Sequence, residues 1–147
     1  MIQVEKALAE NAAIFAAYEQ TTDTQEYILP YSYDQHLQKL QDPTLVYLRI
    51  LENNVLKGFF ILALDPDGKS IEFRRIVVYE KGQGIGQKAI ALMEQFCLQE
   101  LKRRRIWLDV FEHNKRGKYI YEKMGYKLFG ESDYQGRKLL LYQKTLE

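Results

Sequence analysis

Three glycines stand at alternate positions, 82, 84 and 86, in the stretch KGQGIGQKAI at residues 81–90. They follow a β-branched run and precede a stretch whose apolar residues have helical spacing. Glycine in a strand-to-helix turn lets a ligand approach main chain that a side chain would block. The first amides of a helix lack partners, and the helix dipole is positive there, so such a turn suits an anion. The chemistry indicated is recognition of a phosphate or pyrophosphate.

The spacing of these glycines excludes two common phosphate motifs. The pattern GxxxxGK[ST] requires lysine after its last glycine, whereas Gln87 follows Gly86, and Gly82 lies only four positions before Gly86. The dinucleotide pattern GxGxxG fails because Gln87 stands where the third glycine belongs. The pattern (Arg/Gln)-x-x-Gly-x-(Gly/Ala) fits residues 81–86 except at its first position, which is Lys81.

Strand and helix patterns alternate around this turn. The predicted strands are 2–6, 44–52, 55–64, 71–78, 105–111, 126–131 and 137–146, with turns at Asn53-Asn54 and at SDYQG, residues 132–136. The predicted helices are 10–20, a short helix ending near Gln41 that Ser32 or Asp34 caps, a long helix after the glycines with the cations of KRRR at its C-terminal end, and 115–124. This order predicts a mixed sheet covered by helices.

The strand before the glycines changes phase along its length. Its apolar residues fall at Ile71 and Phe73 and then at Ile76 and Val78. A β-bulge would produce this change, because one extra residue resets which side chains face the core. Val77 is also apolar, so a strand that is buried on both faces is the alternative explanation.

A second segment, HNKRGKYIYEKMGY at residues 113–126, completes a recognisable pair of motifs. With the glycine turn and the order of the elements, it resembles the GNAT superfamily of acetyl-CoA-dependent N-acetyltransferases. The segment is similar to the family block Asn-x-x-Ala-x-x-x-Tyr-Glu-Lys-x-Gly-(Phe/Tyr), with Gly117 where the family often has alanine. The resemblance implies an α/β (α+β) fold with a mostly antiparallel sheet of about 6–7 strands and about 4 helices.

The resemblance also implies a reaction in which acetyl-CoA, the co-substrate, gives its acetyl group directly to a primary amine. Glu72 is the candidate general base, with an ion pair to Arg74 as the alternative explanation of this residue. Tyr121 corresponds to the tyrosine that acts as general acid toward the departing thiolate, and the Val78 amide is expected to stabilise the carbonyl oxygen. No metal is implied.

The cofactor and acceptor contacts follow from the same resemblance. The pantetheine arm is expected to pair with the main chain of the strand before the glycines, and the glycine turn to bind the pyrophosphate. The cofactor-binding residues so predicted are Ile76, Val77, Val78, Lys81, Gly82, Gln83, Gly84, Ile85, Gly86, Gln87, Asn114 and Tyr121. Tyr27, Tyr31 and Tyr33 are the predicted acceptor-binding residues, because aromatic faces attract ammonium groups.

Composition limits the alternatives. The 147 residues predict a single domain, residues 1–147, and 21 basic against 20 acidic residues give no overall field for nucleic acid or a membrane surface. One cysteine and no apparent leader or membrane segment predict a cytoplasmic protein, a monomer or homodimer whose partner is a small-molecule or peptide amine. Two other functions stay open: a non-catalytic acetyl-CoA-binding regulator, and a nucleic-acid-binding module that uses residues 102–105 with Lys115, Arg116 and Lys118.

Overall fold

The computed structural model describes residues 1–20, 29–79 and 84–147. Four predicted site residues, Tyr27, Lys81, Gly82 and Gln83, lie outside these ranges.

Seven strands form one sheet in the described chain. They are β1 (Ile2–Lys6), β2 (Leu45–Glu52), β3 (Val55–Leu64), β4 (Ser70–Val78), β5 (Arg105–Phe111), β6 (Lys127–Tyr134) and β7 (Arg137–Thr145). Their order across the sheet is β1-β2-β3-β4-β5-β7-β6. Neighbours are antiparallel except β4 and β5, which are parallel. The predicted mixed, mostly antiparallel sheet is therefore confirmed.

Four α-helices cover this sheet within the described ranges. They are α1 (Ala12–Glu19), which follows a 3-10 turn at Ala9–Asn11, α2 (Tyr33–Leu40), α3 (Ile85–Gln99) and α4 (Lys115–Lys123). Ser32, rather than Asp34, caps α2, because its hydroxyl oxygen accepts the amide of Gln35 at 3.2 Å. The Gln35 side chain in turn accepts the amide of Ser32 at 2.8 Å, which completes a capping box.

The sheet separates two apolar cores. The larger one, called the α3-side core here, packs α3 against one face and includes Leu62, Ile71, Met93, Cys97 and Ile106. The smaller one, the α1-side core, includes Phe15, Tyr47, Phe59, Ile61 and Val77. The Phe15 and Phe59 rings stack with their centroids 4.2 Å apart. With a core on each face, the middle of the sheet is buried on both sides.

A β-bulge interrupts β4 at Arg74. Leu62 of β3 pairs with Phe73 and the adjacent Ile61 pairs with Arg75, so Arg74 is the extra residue. Before the bulge Phe73 faces the α3-side core, and after it Val77 faces the α1-side core. Both explanations of the phase change in the sequence hold, because the strand is bulged and also buried on both faces.

Two local predictions are wrong. Residues 132–134 belong to β6, and the turn to β7 consists of Gln135 and Gly136 alone, with φ angles of 51° and 81°. Two successive residues with positive φ form the tight hairpin turn that matches strand twist, so no five-residue loop is needed. The cations of KRRR lie beyond α3, whose last turn carries no basic residue. Within the described ranges, no helix combines the length and apolar character needed to cross a bilayer.

Candidate active site

A gap opens in the middle of the sheet between β4 and β5. The two parallel strands pair only where Ser70–Glu72 lies beside Arg105–Trp107. Beyond this point β4 continues to Val78 and β5 to Phe111, and the described structure shows no pairing between them. The gap therefore exposes one edge of each strand in the centre of the sheet, where an extended ligand can take the place of a strand.

Side-chain contacts fix the closed end of the gap. Arg103 Nη1 donates to the main-chain oxygens of Asp65, at 2.8 Å, and of Ser70, at 3.1 Å. Trp107 Nε1 donates to Asp65 Oδ2 at 2.7 Å. Arg105 Nε donates to the Gln143 side chain at 2.7 Å. Arg103 and Arg105, two of the cations that the nucleic-acid alternative requires, are therefore engaged in hydrogen bonds within the protein.

The main chain of β4 presents hydrogen-bonding groups to the gap at Ile76 and Val78. The amide of Tyr79 donates to the Lys57 oxygen on β3 at 2.7 Å. Because successive residues of a strand direct their main-chain groups to opposite edges, those of Val78 and Ile76 point the other way, toward β5. The main-chain groups of Val77 point toward β3 and away from the gap, since this residue pairs with Phe59. Its side chain lies in the α1-side core and is 2% exposed.

The N-terminus of α3 lies a few residues beyond this edge. Gly84 occupies the N-cap position in a left-handed conformation, with φ of 74°, and none of the described residues provides a side-chain cap. A Cβ placed on Gly84 or Gly86 would meet nothing within 4 Å, so the surface there is open. Ile85 turns its side chain into the α3-side core. The first amides of α3, through Gln87, are thus available to an anion.

Asn114 caps the helix that follows β5. Its Oδ1 accepts the amide of Gly117 at 2.9 Å. A Cβ on Gly117 would lie 2.8 Å from Nδ2 of Asn114, so the glycine makes room for this cap. The departure from the family alanine at this position therefore has a local structural reason.

Tyr121 of α4 lies against the strand that borders the gap. Its ring meets the Phe73 ring edge-on, with centroids 5.7 Å apart, and the Tyr126 ring at 6.0 Å. Burial, together with the charge of Asp109, raises the pKa of Tyr121 to about 12. The phenol therefore keeps its proton at neutral pH, which is the form that a general acid requires.

Among the described residues, two carboxylates flank the gap on the face that carries α1. Glu72 is the last residue of β4 that pairs with β5, and Asp109 lies two positions beyond Trp107 on β5. Leu108 and Val110 belong to the α3-side core, so Asp109 faces the opposite way. Sequence analysis identified Glu72 and did not identify Asp109.

The two carboxylates differ in their partners. Glu72 Oε1 accepts from Arg74 Nη2 at 2.9 Å and from Arg74 Nε at 3.2 Å, so the ion pair that was the alternative explanation of Glu72 is formed. Asp109 has no hydrogen-bonding partner in the part of the chain described. The walls of the gap partly desolvate its carboxylate although the residue as a whole is exposed. This desolvation and the Glu72 charge raise the pKa of Asp109, opposed by Arg74.

Residues 11–126, which contain the gap, the N-terminus of α3 and Tyr121, match the model of the acetyltransferase (GNAT) family. The chain belongs to the GNAT family. A curated GNAT relative, the spermine/spermidine N(1)-acetyltransferase of Bacillus subtilis (strain 168), is 30% identical over 94 residues, 58% of this chain and 62% of the relative. A probable spermine N(1)-acetyltransferase of Bacillus subtilis subsp. natto (strain BEST195) is 31% identical over 61 residues, 42% of this chain and 40% of the relative. These alignments span less than two thirds of either relative.

Solved GNAT structures share the fold over nearly the whole chain. An aminoglycoside acetyltransferase in complex with coenzyme A superimposes with a TM-score of 0.85 at 12% identity, covering 99% of this chain and 95% of that one. The spermidine N-acetyltransferase of Vibrio cholerae in complex with CoA and spermine gives 0.83 at 16% identity, covering 98% and 95%. At these identities the likeness establishes the fold, and it confirms the predicted GNAT architecture.

The predicted acceptor tyrosines of this GNAT chain have different surroundings. The Arg75 guanidinium carbon lies 4.0 Å from the centroid of the Tyr31 ring, and Lys39 Nζ lies 4.6 Å from it. The protein's own cations therefore already stand over Tyr31. Tyr33, the first residue of α2, is 50% exposed. Roles of both residues in acceptor binding stay predictions, and Tyr27 lies outside the described residues.

A buried polar network fixes the GNAT strand β4 to the helices on the α1 side. Glu19, fully buried at the end of α1, accepts from Arg75 at 2.8 Å, from the Tyr31 amide at 2.8 Å and from His36 Nε2 at 2.8 Å. His36 Nδ1 bonds the Tyr47 hydroxyl at 2.8 Å. Burial acts to raise the pKa of Glu19, but the His36 hydrogen bond and the Arg75 charge outweigh it and lower the pKa. Ionised Glu19 thus ties Arg75, next to the bulge, to both helices.

Sequence analysis missed both Asp109 and this network. One signal for Asp109 was present, since it is the one acidic residue within the apolar strand RIWLDVF. Glu19 gave a weaker signal as a charged residue beside Tyr18 at the end of an apolar helix. Its partner Arg75 lies 56 positions away, and only the folded chain brings them together. No group of three or more His, Cys, Asp and Glu side chains suited to a metal occurs among the described residues.

Proposed function

We propose that the protein transfers the acetyl group of acetyl-CoA to a primary amine of a cationic small molecule. The observation that carries this proposal is the gap between β4 and β5 next to the open N-terminus of α3. Only residues 79–83 separate the exposed edge of β4 from that helix terminus. An extended arm and a pyrophosphate on one ligand fit these two adjacent features, and coenzyme A carries both.

The chain's own residues would hold the cofactor mainly by their main chain. Ile76 and Val78 would bond the pantetheine arm as a neighbouring strand would, and the amides of Gly84 to Gln87 would bind the pyrophosphate. Lys81, Gly82 and Gln83, outside the described residues, are predicted to extend that anion site. Asn114 would donate from its Nδ2 to the pantetheine arm, since its Oδ1 already accepts the amide of Gly117. When bound, acetyl-CoA supplies an acetyl thioester.

Three functional groups at the gap match the needs of acyl transfer to an amine. The Val78 amide is directed into the gap, where it would donate to the thioester oxygen as negative charge develops. Tyr121 would donate its proton to the leaving sulfur. An amine with an ordinary pKa of about 10 is protonated at pH 7, so a carboxylate must first remove a proton. Glu72, predicted from the sequence, and Asp109 are the two carboxylates at the gap in the part of the chain that the structure describes.

The charges at the gap support a cationic acceptor. Glu72 and Asp109 carry two potential negative charges, and Arg74 offsets one of them. A site with net negative charge attracts ammonium groups and repels acidic substrates. The names of the curated relatives agree with this expectation, since both refer to spermine. Polyamines are therefore the first acceptors to test.

The test is a thiol-release assay with acetyl-CoA against a panel of polyamines, aminoglycosides, simple amines and peptides. We expect turnover with at least one polycationic amine, and a raised melting temperature on addition of coenzyme A alone. Binding of coenzyme A without turnover on any amine would instead favour the non-catalytic regulator. No binding at millimolar coenzyme A would refute the proposal.

A matched pair of variants tests the role of Tyr121. Tyr121→Phe should lower kcat by about 10²–10⁴-fold and leave coenzyme A affinity unchanged, since a general acid contributes in that range. Tyr119→Phe is the control, because Tyr119 lies on the same helix and is 64% exposed. A loss below about tenfold in Tyr121→Phe would remove the residue from the mechanism.

A further inference from the structure

Of the two described carboxylates at the gap, Glu72 is already engaged by Arg74. Both Arg74 hydrogen bonds to Glu72 converge on Oε1, and the Glu72 side chain is only 14% exposed. Arg74 is the extra residue of the bulge, so the bulge itself places this guanidinium beside Glu72. For Glu72 Oε1 to take up the proton of an amine, it would have to give up these two charge-assisted hydrogen bonds.

Asp109 has the opposite character. It follows the last residues of β5 that pair with β4, on an edge with no β4 partner in the described structure, and its neighbour on β7 is the uncharged Leu141. Among the described residues, the charged groups that act on it are Glu72 and Arg74 on β4, and its own charge acts on Tyr121 of α4. Asp109 is thus coupled both to the Glu72–Arg74 pair and to the predicted general acid.

We propose that Asp109, rather than Glu72, accepts the proton of the acceptor's reacting ammonium group, and that the Glu72–Arg74 ion pair stays intact beside it. This inference rests on the proposed function and assigns one of its catalytic roles. The raised pKa of Asp109 supports it, because a carboxylate of higher pKa is a better base.

The ammonium gives one proton to Asp109, which releases it to solvent after the reaction. The freed nitrogen lone pair forms the bond to the acetyl carbon, the carbon–sulfur bond breaks, and the electron pair leaves on sulfur. Tyr121 protonates that sulfur and regains a proton from the nitrogen, so the ammonium loses two protons in all and the products are amide, thiol and one released proton.

The first experiment compares kcat/KM against pH for wild type, Asp109→Asn, Glu72→Gln and the control Glu52→Gln, whose carboxylate lies on β2, across β3 and β4 from the gap. With a strongly basic amine, Asp109→Asn should lose about 10²–10⁴-fold near pH 7. The variant should recover about tenfold per pH unit as the free amine accumulates in solution. Glu72→Gln should keep the acidic limb of the profile, which is the fall of kcat/KM toward low pH that protonation of the general base produces.

A weakly basic arylamine separates proton transfer from structural damage. Such an acceptor is already neutral at pH 7 and needs no base before attack. Asp109→Asn should therefore acetylate it within about threefold of wild type while failing with the basic amine. If Asp109→Asn does not fold, as judged by its melting curve, Asp109→Ser serves as the second variant.

Carboxyl NMR of the free protein gives a readout that does not depend on activity. The Asp109 carboxyl carbon should titrate above the ordinary aspartate range, and Glu72→Gln should lower its midpoint because a negative neighbour is lost. Adding an amine should shift this resonance but not that of Glu52.

The outcomes separate the two proposals. An acidic limb that disappears in Glu72→Gln and persists in Asp109→Asn would assign the proton to Glu72 and overturn the inference. Loss of turnover by Asp109→Asn on both amine classes would make Asp109 a structural residue. If wild type acetylates no amine, the proposed function fails by itself, and an Asp109 resonance that titrates normally and ignores amines would then refute the inference.

Discussion

Gly58 offers a direct test of whether the position of β4 defines the cofactor site. It lies on β3 opposite Val78. A Cβ placed there would lie 2.2 Å from the main-chain oxygen of Val77 and 3.0 Å from the Cα of Val78. Both contacts are to backbone, so no side-chain rotation can relieve them. In Gly58→Ala the two strands must separate locally by about 1 Å.

The expected effects follow from that displacement. Overpacking of this kind costs about 1–3 kcal/mol, which lowers the melting temperature by about 3–10 °C in a domain of this size. A shift of the Val78 edge also weakens the main-chain hydrogen bonds proposed to hold coenzyme A. Losing about 1.4 kcal/mol of them raises Kd tenfold.

Calorimetric titration with coenzyme A and a thermal melt measure the two effects. Gly130→Ala is the matched control, because it is also a strand glycine whose added Cβ would meet only the flexible end of Leu141, at 3.4 Å. It should change neither quantity appreciably. A Gly58→Ala protein that is destabilised yet binds coenzyme A like wild type would refute the strand-edge account, and an unchanged melting temperature would refute the steric argument.

Two further predictions concern stability. Glu19→Gln should destabilise the protein by about 3–5 kcal/mol, because it leaves Arg75 without its buried counter-charge. Urea unfolding measures this loss, and the control Glu10→Gln, at an exposed site, should have little effect. Hydrogen bonds from the Lys69 and Ser70 amides lower the pKa of Asp67 to about 2. Ionised Asp67 therefore stabilises the folded protein fully above the ordinary aspartate pKa of about 3.9, and this stabilisation is lost as pH falls toward 2. The stability difference between wild type and Asp67→Asn should shrink over that interval, and a constant difference would contradict the assignment.

Local chemistry in the sequence was enough to predict most of the elements. The paired asparagines at 53–54 predicted a hairpin, and both adopt positive φ there. The phase change between Phe73 and Ile76 indicated the bulge. The hairpin at 135–136 was misjudged because Ser132 and Asp133, which favour turns, lie within β6 as part of its pairing with β7.

The gap could not be predicted from residue patterns, because it depends on which pairs are absent between two parallel strands. Nothing local in RIWLDVF shows that pairing with β4 ends at Trp107. Asp109 borders the gap only because this pairing ends two residues before it. The Glu19 network is hidden for the same reason, since its members come from α1, α2, β2 and β4 and meet only after folding. The family motifs predicted cofactor-binding residues on β4, at the start of α3 and at Asn114, and these assignments stay predictions.

The most direct test of the central claim is an NMR titration of main-chain amides with coenzyme A. The amides of Ile76, Val78 and the first turn of α3 should shift and gain protection from exchange at saturation, because they acquire hydrogen-bonding partners. The Val77 amide, which faces β3, should change much less. Binding that leaves the Ile76 and Val78 amides unaffected, or no binding at all, would contradict the account.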